Sequence, residues 1–363
     1  MRTFTGVDIV FRLLNGTLSG AQLETALTTD AALYLGPWIE VLKAVELNAL
    51  INSPTALTAM FGSSTALSNL FDIAGAELAA SDTATELISN TSSAILTVVT
   101  TPAYLDYWNN TPANKARLQA RINASGSKLK RQEWTSSGTW TAPGTPIVAL
   151  SIFAVGGGGN GGNGNPNISG LVRGGGGGSG GEAAATSITT GLPASNQSVT
   201  VGAAESVSEF GALLTAAAGV VGPVGTGGAA AGGGTDSGSI YDTAPSTAIW
   251  QYTASKQGGS GGSSVGANVS YDGFAGTAGL TGAGGAGGTM GGGTALGGAG
   301  GTGFCSGGGS GAIIAPGAAS TTSGSSASAN TGCGGGGGGA SASGASNGSA
   351  GGSGLVVAYW VEA

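Results

Sequence analysis

From Ser53 to Leu118 the apolar residues return in a ten-residue register. Ser53-Pro-Thr-Ala-Leu-Thr-Ala-Met-Phe-Gly is followed by Ser63-Ser-Thr-Ala-Leu-Ser-Asn-Leu-Phe-Asp, then by an imperfect unit from Ile73 to Ala80. Further units open at Ser81, Thr91, Thr101 and Thr111. Each starts with Ser or Thr, and most place Ala three positions on, with apolar residues one and four places beyond that. A hydroxyl at the N-cap accepts a bond from an orphan backbone N–H. Pro54, Pro102 and Pro112 fall at the first helical position, where a missing N–H is harmless. Leu57 with Met60 and Phe61, and Leu67 with Leu70 and Phe71, make one apolar face at helical spacing. The pattern predicts helices of two or three turns. Such helices are marginal alone and must stack on each other or on copies from other subunits.

Upstream, Ala21–Leu27 and Ala31–Leu50 read as two longer helices. Thr28, Thr29 or Asp30 would cap the second, and Pro37 would break it near its start. The opening Thr3–Leu14 carries the β-formers Phe4, Val7, Ile9, Val10 and Phe11. It is expected to be either a strand or a frayed terminus.

Downstream the pattern changes. Ile147–Val155 is apolar on both faces, as a fully covered strand is. Glu182–Thr190 and Gln197–Val201 flank the turn Gly191-Leu-Pro-Ala-Ser-Asn196 and read as a hairpin with a longer loop. The chain closes on the apolar Leu355–Val361. Between these strands glycine dominates. Of 75 glycines, 68 lie after Glu133. From Gly273 to Gly303 glycine occupies every third position, with a miss at Thr294. That period belongs to polyproline II geometry, which closes a turn in three residues. Proline is absent from the run, which excludes collagen. The composition divides the chain into an attachment segment with helices (1–52), short-helix repeats (53–125), a linker (126–132) and a glycine-rich β domain (133–363).

Charge narrows the partners. The net charge is −7, with no basic cluster beyond Lys128, Lys130 and Arg131, which speaks against nucleic acid. No run approaches the roughly 18 apolar residues of a membrane span, so no membrane insertion is expected. The first residues lack a basic stretch followed by an apolar core, and no signal peptide is expected. The two cysteines, Cys305 and Cys333, sit outside any zinc-type spacing. They are either a disulfide closing a small loop or two free, partly buried thiols.

The segments SSGTWTAPGTPIVALSIFAVGGGGNGG, SVTVGAAESVSEFGALLTAAAG and the terminal GGSGLVVAYW together resemble the glycine-rich domain that ends many bacteriophage tail-fibre and other virion appendage proteins. The resemblance covers about residues 133–363. It implies a virion protein with a glycine-rich β-sandwich-like domain and polyglycine II segments. It also implies a homotrimer that contacts other virion proteins and a host surface glycan or outer-membrane protein. The stretch Thr235–Phe274 departs from the family by being poorer in glycine and richer in aromatics.

That departure supplies the candidate receptor contacts: Tyr241, Trp250, Tyr252, Tyr271 and Phe274. Exposed aromatics stack on sugars and anchor protein contacts; alternatively, Trp250 and Tyr252 cap the apolar end of the β domain. Asn160, Asn163, Asn165 and Asn167 form a second candidate, as amides for glycans or as solvated turn residues. Catalysis is not expected. Gly177–Gly181 and Gly258–Gly262 match GxSxG, but the chain has no histidine to complete a triad. Asp236 and Asp242 are the acid pair a glycan-hydrolysing tailspike would use. No cofactor is implied. The expected fold is α+β and multidomain. The expected function is that of a phage fibre; a head fibre, a collar or baseplate component, a cellular glycine-rich surface protein and a tailspike glycan hydrolase are the alternatives.

Overall fold

The computed structural model describes residues 6–29, 44–168, 171–224, 249–250, 254–256, 289–290, 309, 323–341 and 344–363. The fold is α+β, with nine helices among the described residues followed by the strands. Two compact units divide it. The first comprises Met1–Arg131, Gly144–Leu150 and Tyr359–Ala363; the second comprises Gln132–Pro143 and Ser151–Ala358.

The first unit is built from short capped helices: α1 (Gly6–Leu14), α2 (Gly20–Thr29), α3 (Ala44–Ile51), α4 (Pro54–Phe61), α5 (Ser64–Ala80), α6 (Asp82–Asn90), α7 (Ser92–Thr100), α8 (Pro102–Asn109) and α9 (Pro112–Arg121). The last four start at ten-residue steps. The N-caps of α4 to α9 are extended, and Ser53, Ser63 and Ser81 each accept from the N–H three residues on. Thr91, Thr101 and Thr111 hold the same backbone shape without that bond, in line with threonine's weaker capping. Within α5 the helix kinks at Ala74 (φ −126°) instead of starting anew at Ile73. Gly75 lies beside the kink because an added Cβ would stand 2.1 Å from the Tyr107 ring.

Leu57, Met60, Leu67, Leu70, Phe71, Ile88, Ile95, Val98 and Trp108 are buried in this unit. Phe71 stacks on Tyr104 at 5.1 Å and meets the edge of Trp108 at 6.3 Å. Tyr104 donates to Asp72 at 2.6 Å; burial, then the Asp72 contact, pushes its phenol up to about 12.

Two expectations for this region are corrected. Thr3–Leu14 is neither strand nor frayed end over its described part, because Ile9, Val10 and Leu13 are buried at helical spacing in α1. Leu129–Arg131, within the expected linker, belong to strand β1 (Leu129–Trp134). There the Arg131 guanidinium lies 5.6 Å from the Tyr359 ring centre, and its Nε donates to the Tyr359 hydroxyl. Of the expected helix Ala31–Leu50, residues 31–43 lie outside the described residues.

The further strands are β2 (Gly138–Trp140), β3 (Ile147–Val155), β4 (Asn165–Ile168), β5 (Leu171–Arg173), β6 (Ala183–Ile188), β7 (Gln197–Thr200), β8 (Ser208–Phe210), β9 (Leu214–Ala216), β10 (Ala254–Lys256), β11 (Thr289–Met290), β12 (Ala340–Ser341), β13 (Gly344–Ala345) and β14 (Leu355–Glu362). One sheet has the order β1-β14-β3-β6-β10; another is the antiparallel β2-β7-β8-β9. The expected β6–β7 hairpin does not form, because the two strands belong to different sheets. The loop between them redirects the chain so that β7 pairs with β2, Thr139 opposite Ser198. Trp134 and Trp140 both pack on Phe210 with ring centres 5.9 Å away, an ordinary aromatic cluster in the second unit.

Beyond the strands, the second unit buries glycine backbone. Gly156, Gly159 and Gly162 donate to Glu182, Ser179 and Gly176; Gly158, Gly161 and Gly164 donate to Gly352, Ser349 and Ser346. Gly175, Gly178 and Gly181 donate to Gly338, Gly335 and Gly332, while Gly219 and Gly222 donate to the carbonyls of Gly157 and Asn160. Each partner segment thus recurs with a period of three, and each segment pairs with several neighbours at once. A Cβ at Gly158 would stand 2.0 Å from the Cys333 carbonyl oxygen, and one at Gly161 2.0 Å from that of Gly336. Cys333 is buried in this array; Cys305 and most of the Gly273–Gly303 run lie outside the described residues.

Two predictions follow from these units. Gly161→Ala should lower stability by about 3 kcal/mol or more, since backbone rather than a pliable side chain stands in the way. Gly144→Ala, whose Cβ meets nothing within 4 Å, should stay within about 0.5 kcal/mol of wild type; urea unfolding of the two variants tests both. The second concerns Glu24, which accepts from Ser63, Ser64 and Thr65 at the start of α5. The Ser63 hydroxyl above all holds its carboxylate below the ordinary range; burial opposes this, and Thr65 and Ser64 add to it. A depressed folded value means that this stabilisation is complete above the unfolded carboxylate range and fades as pH falls through the folded one. Thermal melts of the helix signal should lose part of their acid-side slope in Glu24→Gln.

Candidate functional site

The period of three decides which side chains the array can carry. Along residues 156–164 every position is buried except Asn160, half-buried, and Asn163, exposed. They are three apart and so share one edge of the segment. The Oδ1 of Asn160 accepts the N–H of Gly351 at 2.9 Å, and the Oδ1 of Asn163 accepts that of Gly348 at 2.9 Å. Those acceptor bonds fix which end of each amide faces the backbone. Neither NH2 group has an acceptor among the described residues.

The two asparagines line a cavity of about 300 Å3 together with Glu205, Val221, Val224 and Ser349. Val221 and Val224, again three apart, are 46% and 52% exposed. They occupy the segment that runs beside the asparagines through the Gly219 and Gly222 bonds. Glu205 sits on a tight turn at φ +63°, a left-handed conformation rare for a side-chain-bearing residue. Its N–H donates to the carbonyl of Gly158 at 3.0 Å, which anchors the turn, and its side chain is exposed at the rim. Ser349 is turned away from the cavity's polar chemistry, since its hydroxyl donates to the Gly324 carbonyl.

The aromatic candidates fare differently. Trp250 is fully buried, and its indole N–H donates to the Ser187 hydroxyl at 2.9 Å. It is therefore a packed side chain and not a displayed one, held at φ +61°. Tyr241, Tyr252, Tyr271 and Phe274 lie outside the described residues, as do Asp236, Asp242 and the second GxSxG match. In the first match, Ser179 is buried and its hydroxyl accepts the N–H of Val220 at 2.7 Å, a role in holding backbone. Asn165 and Asn167 fall in β4. Of the four asparagines proposed together, the cavity brings together two.

Sequence reasoning passed over Glu205, Val221 and Val224. Gly219, Gly222 and Gly225 mark the same three-residue period there, with the valines on the intervening positions; that spacing was the available signal. Among the described residues, no group of three acidic, cysteine or histidine side chains is placed to hold a metal ion, and no helix is long and apolar enough to cross a membrane. No protein-family model matches the chain, and no curated protein is similar to it.

Trp250→Ala should cost about 3–5 kcal/mol, the usual price of emptying a buried tryptophan site. Trp250→Phe should cost less, since it keeps most of the packing and loses the bond to Ser187. Melting temperatures of the two variants check the order; equal and negligible shifts would mean that Trp250 packs nothing.

Proposed function

We propose that this chain is a fibre-like structural protein of a bacteriophage particle. Its short-helix repeats and preceding helices fix it to other virion proteins, whether of baseplate, tail, collar or capsid. Its glycine-rich, β-sandwich-like domain projects and touches the host cell surface, either a glycan or an outer-membrane protein. The glycine segments act as a bundle of polyglycine II helices, and the working assembly is a homotrimer of the kind closed symmetry favours. The chain binds and does not catalyse; attachment comes from weak contacts multiplied by copy number.

One observation carries this reading. The second unit spends its interior on backbone-to-backbone bonds with a period of three, a construction that resists deformation yet leaves loops and edge positions to vary. A rigid stem with a changeable surface suits an attachment protein. The order of the Gly-Thr-Trp-Thr-Ala-Pro opening, the apolar strand, the glycine runs and the closing Tyr-Trp strand supports the same reading. Five distinct segments meet Gly156–Gly164, which is more cross-linking than a flexible glycine linker would have.

The test uses the purified full chain as a competitor. Host cells preincubated with it at saturating concentration should adsorb the cognate phage severalfold more slowly than untreated cells. Undiminished adsorption, with the chain folded by circular dichroism, would overturn the host-contact role and favour a head fibre or a collar or baseplate component. Labelling the chain in virions and imaging them by electron microscopy would separate those positions.

A further inference from the structure

We propose that the cavity between Asn160, Asn163, Glu205, Val221 and Val224 binds one neutral or amine-bearing hexose unit of a surface glycan, an inference that rests on the host-contact reading above. The polar groups suit a polyol. Each asparagine has its Oδ1 committed to backbone, Asn160 to Gly351 and Asn163 to Gly348. Each therefore presents an oriented NH2 group with donors to spare. Three residues of extended backbone separate them by about 9 Å, so the pair addresses hydroxyls on two sides of one ring. Glu205 supplies the complementary acceptor at the rim. Val221 and Val224 supply an apolar patch for the C–H face of a pyranose.

Size and charge limit the ligand further. A cavity of about 300 Å3 stands at the lower end of ligand-binding pockets, which fits one sugar unit and not an extended chain. The lining contains one carboxylate and no Lys or Arg. Uronates, sialates and phosphates therefore meet a like charge with nothing to pair it, whereas a neutral sugar or an amino sugar meets none of that penalty. The donors are held before the ligand arrives, because the backbone that grips Oδ1 is itself buried and bonded. Little side-chain freedom remains to be lost on binding.

The substitutions that test this follow from the bonding. Asn160→Asp and Asn163→Asp keep an acceptor oxygen for Gly351 and Gly348 while deleting the NH2 donors. Glu205→Gln keeps the shape of the rim without its charge and leaves the array untouched. The full chain is titrated with methyl α-glucoside, methyl α-galactoside, methyl α-mannoside, N-acetylglucosamine, glucosamine and glucuronate, followed by saturation-transfer NMR on the sugar. Saturable transfer is expected for at least one neutral or amino hexose and none for glucuronate. Each Asn→Asp variant should weaken the Kd about tenfold, the worth of one good hydrogen bond, and Glu205→Gln should weaken it less for a neutral sugar than for glucosamine. No saturable transfer from any of these sugars, or wild-type affinity in the folded double Asp variant, overturns the site. If the Asp variants do not fold, unchanged glucosamine binding by Glu205→Gln overturns it instead. Binding to host cells is measured alongside. Equal cell binding by wild type and the double variant removes this site but leaves the host-contact reading; sugar binding without any cell binding removes that reading but leaves the site.

Discussion

Buried backbone N–H groups must each find an acceptor, and the glycine array of the second unit meets that demand without helix or sheet. In a helix the acceptor lies four residues back along the same chain. In a sheet it lies on two flanking strands. Along Gly156–Gly164 it lies on the same neighbour at each step of three and on different neighbours in between, so the donors and acceptors of one segment involve residues 176–182, 205–206, 219–222, 335–338 and 346–352. Leaving one such group unpaired costs on the order of 1–3 kcal/mol. The array is therefore cooperative in a strong sense, since displacing one segment strands polar groups on several others. Glycine is required by distance more than by backbone freedom. Carbonyl oxygens stand about 2 Å from where a Cβ would be, as at Gly158, Gly161 and Gly178.

Such an interior has few apolar side chains to drive its assembly, and ordering glycine is entropically the least favourable choice. Conventional burial at its margins has to compensate. Trp134, Trp140 and Phe210 form a compact aromatic cluster beside β2 and β8. Ser208, also buried, ties three elements by donating to Val155 and accepting from Gly202. Gly354 donates to the Gly202 carbonyl just before β14 begins. The apolar strands β3 and β14 run directly into glycine segments at Gly156 and out of one at Gly354. The array thus begins and ends on strands whose positions hydrophobic burial has already set.

This division explains which parts of the molecule could be read from the chain. Local reading of Ser/Thr caps, prolines and apolar spacing placed the helices, because each of these acts within one turn or two. It failed at Ile73, where no capping residue stops α5 and the helix bends at Ala74 instead. It failed at Thr3–Leu14, where β-forming residue types outweighed the spacing of Ile9, Val10 and Leu13. Strands β3 and β14 were visible as two-faced apolar runs. The partners of β6 and β7 were not, because a turn-rich loop between two strands looks the same whether they pair or part. The triplet period is legible at Gly273–Gly303, where glycine keeps one frame for many turns. The described array uses the same period at Gly156–Gly164 and Gly219–Gly222, where glycine on several frames at once hides it. Trp250 illustrates the opposite limit: an aromatic in a glycine-poor stretch carries no mark of which side of the surface it occupies.

The cavity follows from how such an array must end. At an interior position, the N–H groups of residues 346–354 go to backbone carbonyls. At the edge there is no further segment, and the Gly348 and Gly351 N–H groups would be left without protein acceptors. Asn160 and Asn163 supply these acceptors from their side chains, at the two positions of the neighbouring segment that are not buried. A carboxamide is suited to this because its oxygen mimics the missing peptide carbonyl. Its nitrogen is the unavoidable remainder, pointed away from the backbone that the oxygen satisfies. Serine would be too short to mimic a peptide group, and aspartate would bring charge to a neutral edge. The same residues that finish the array thus leave a row of fixed donors on its surface, so that closing the edge and building a binding surface are one structural act.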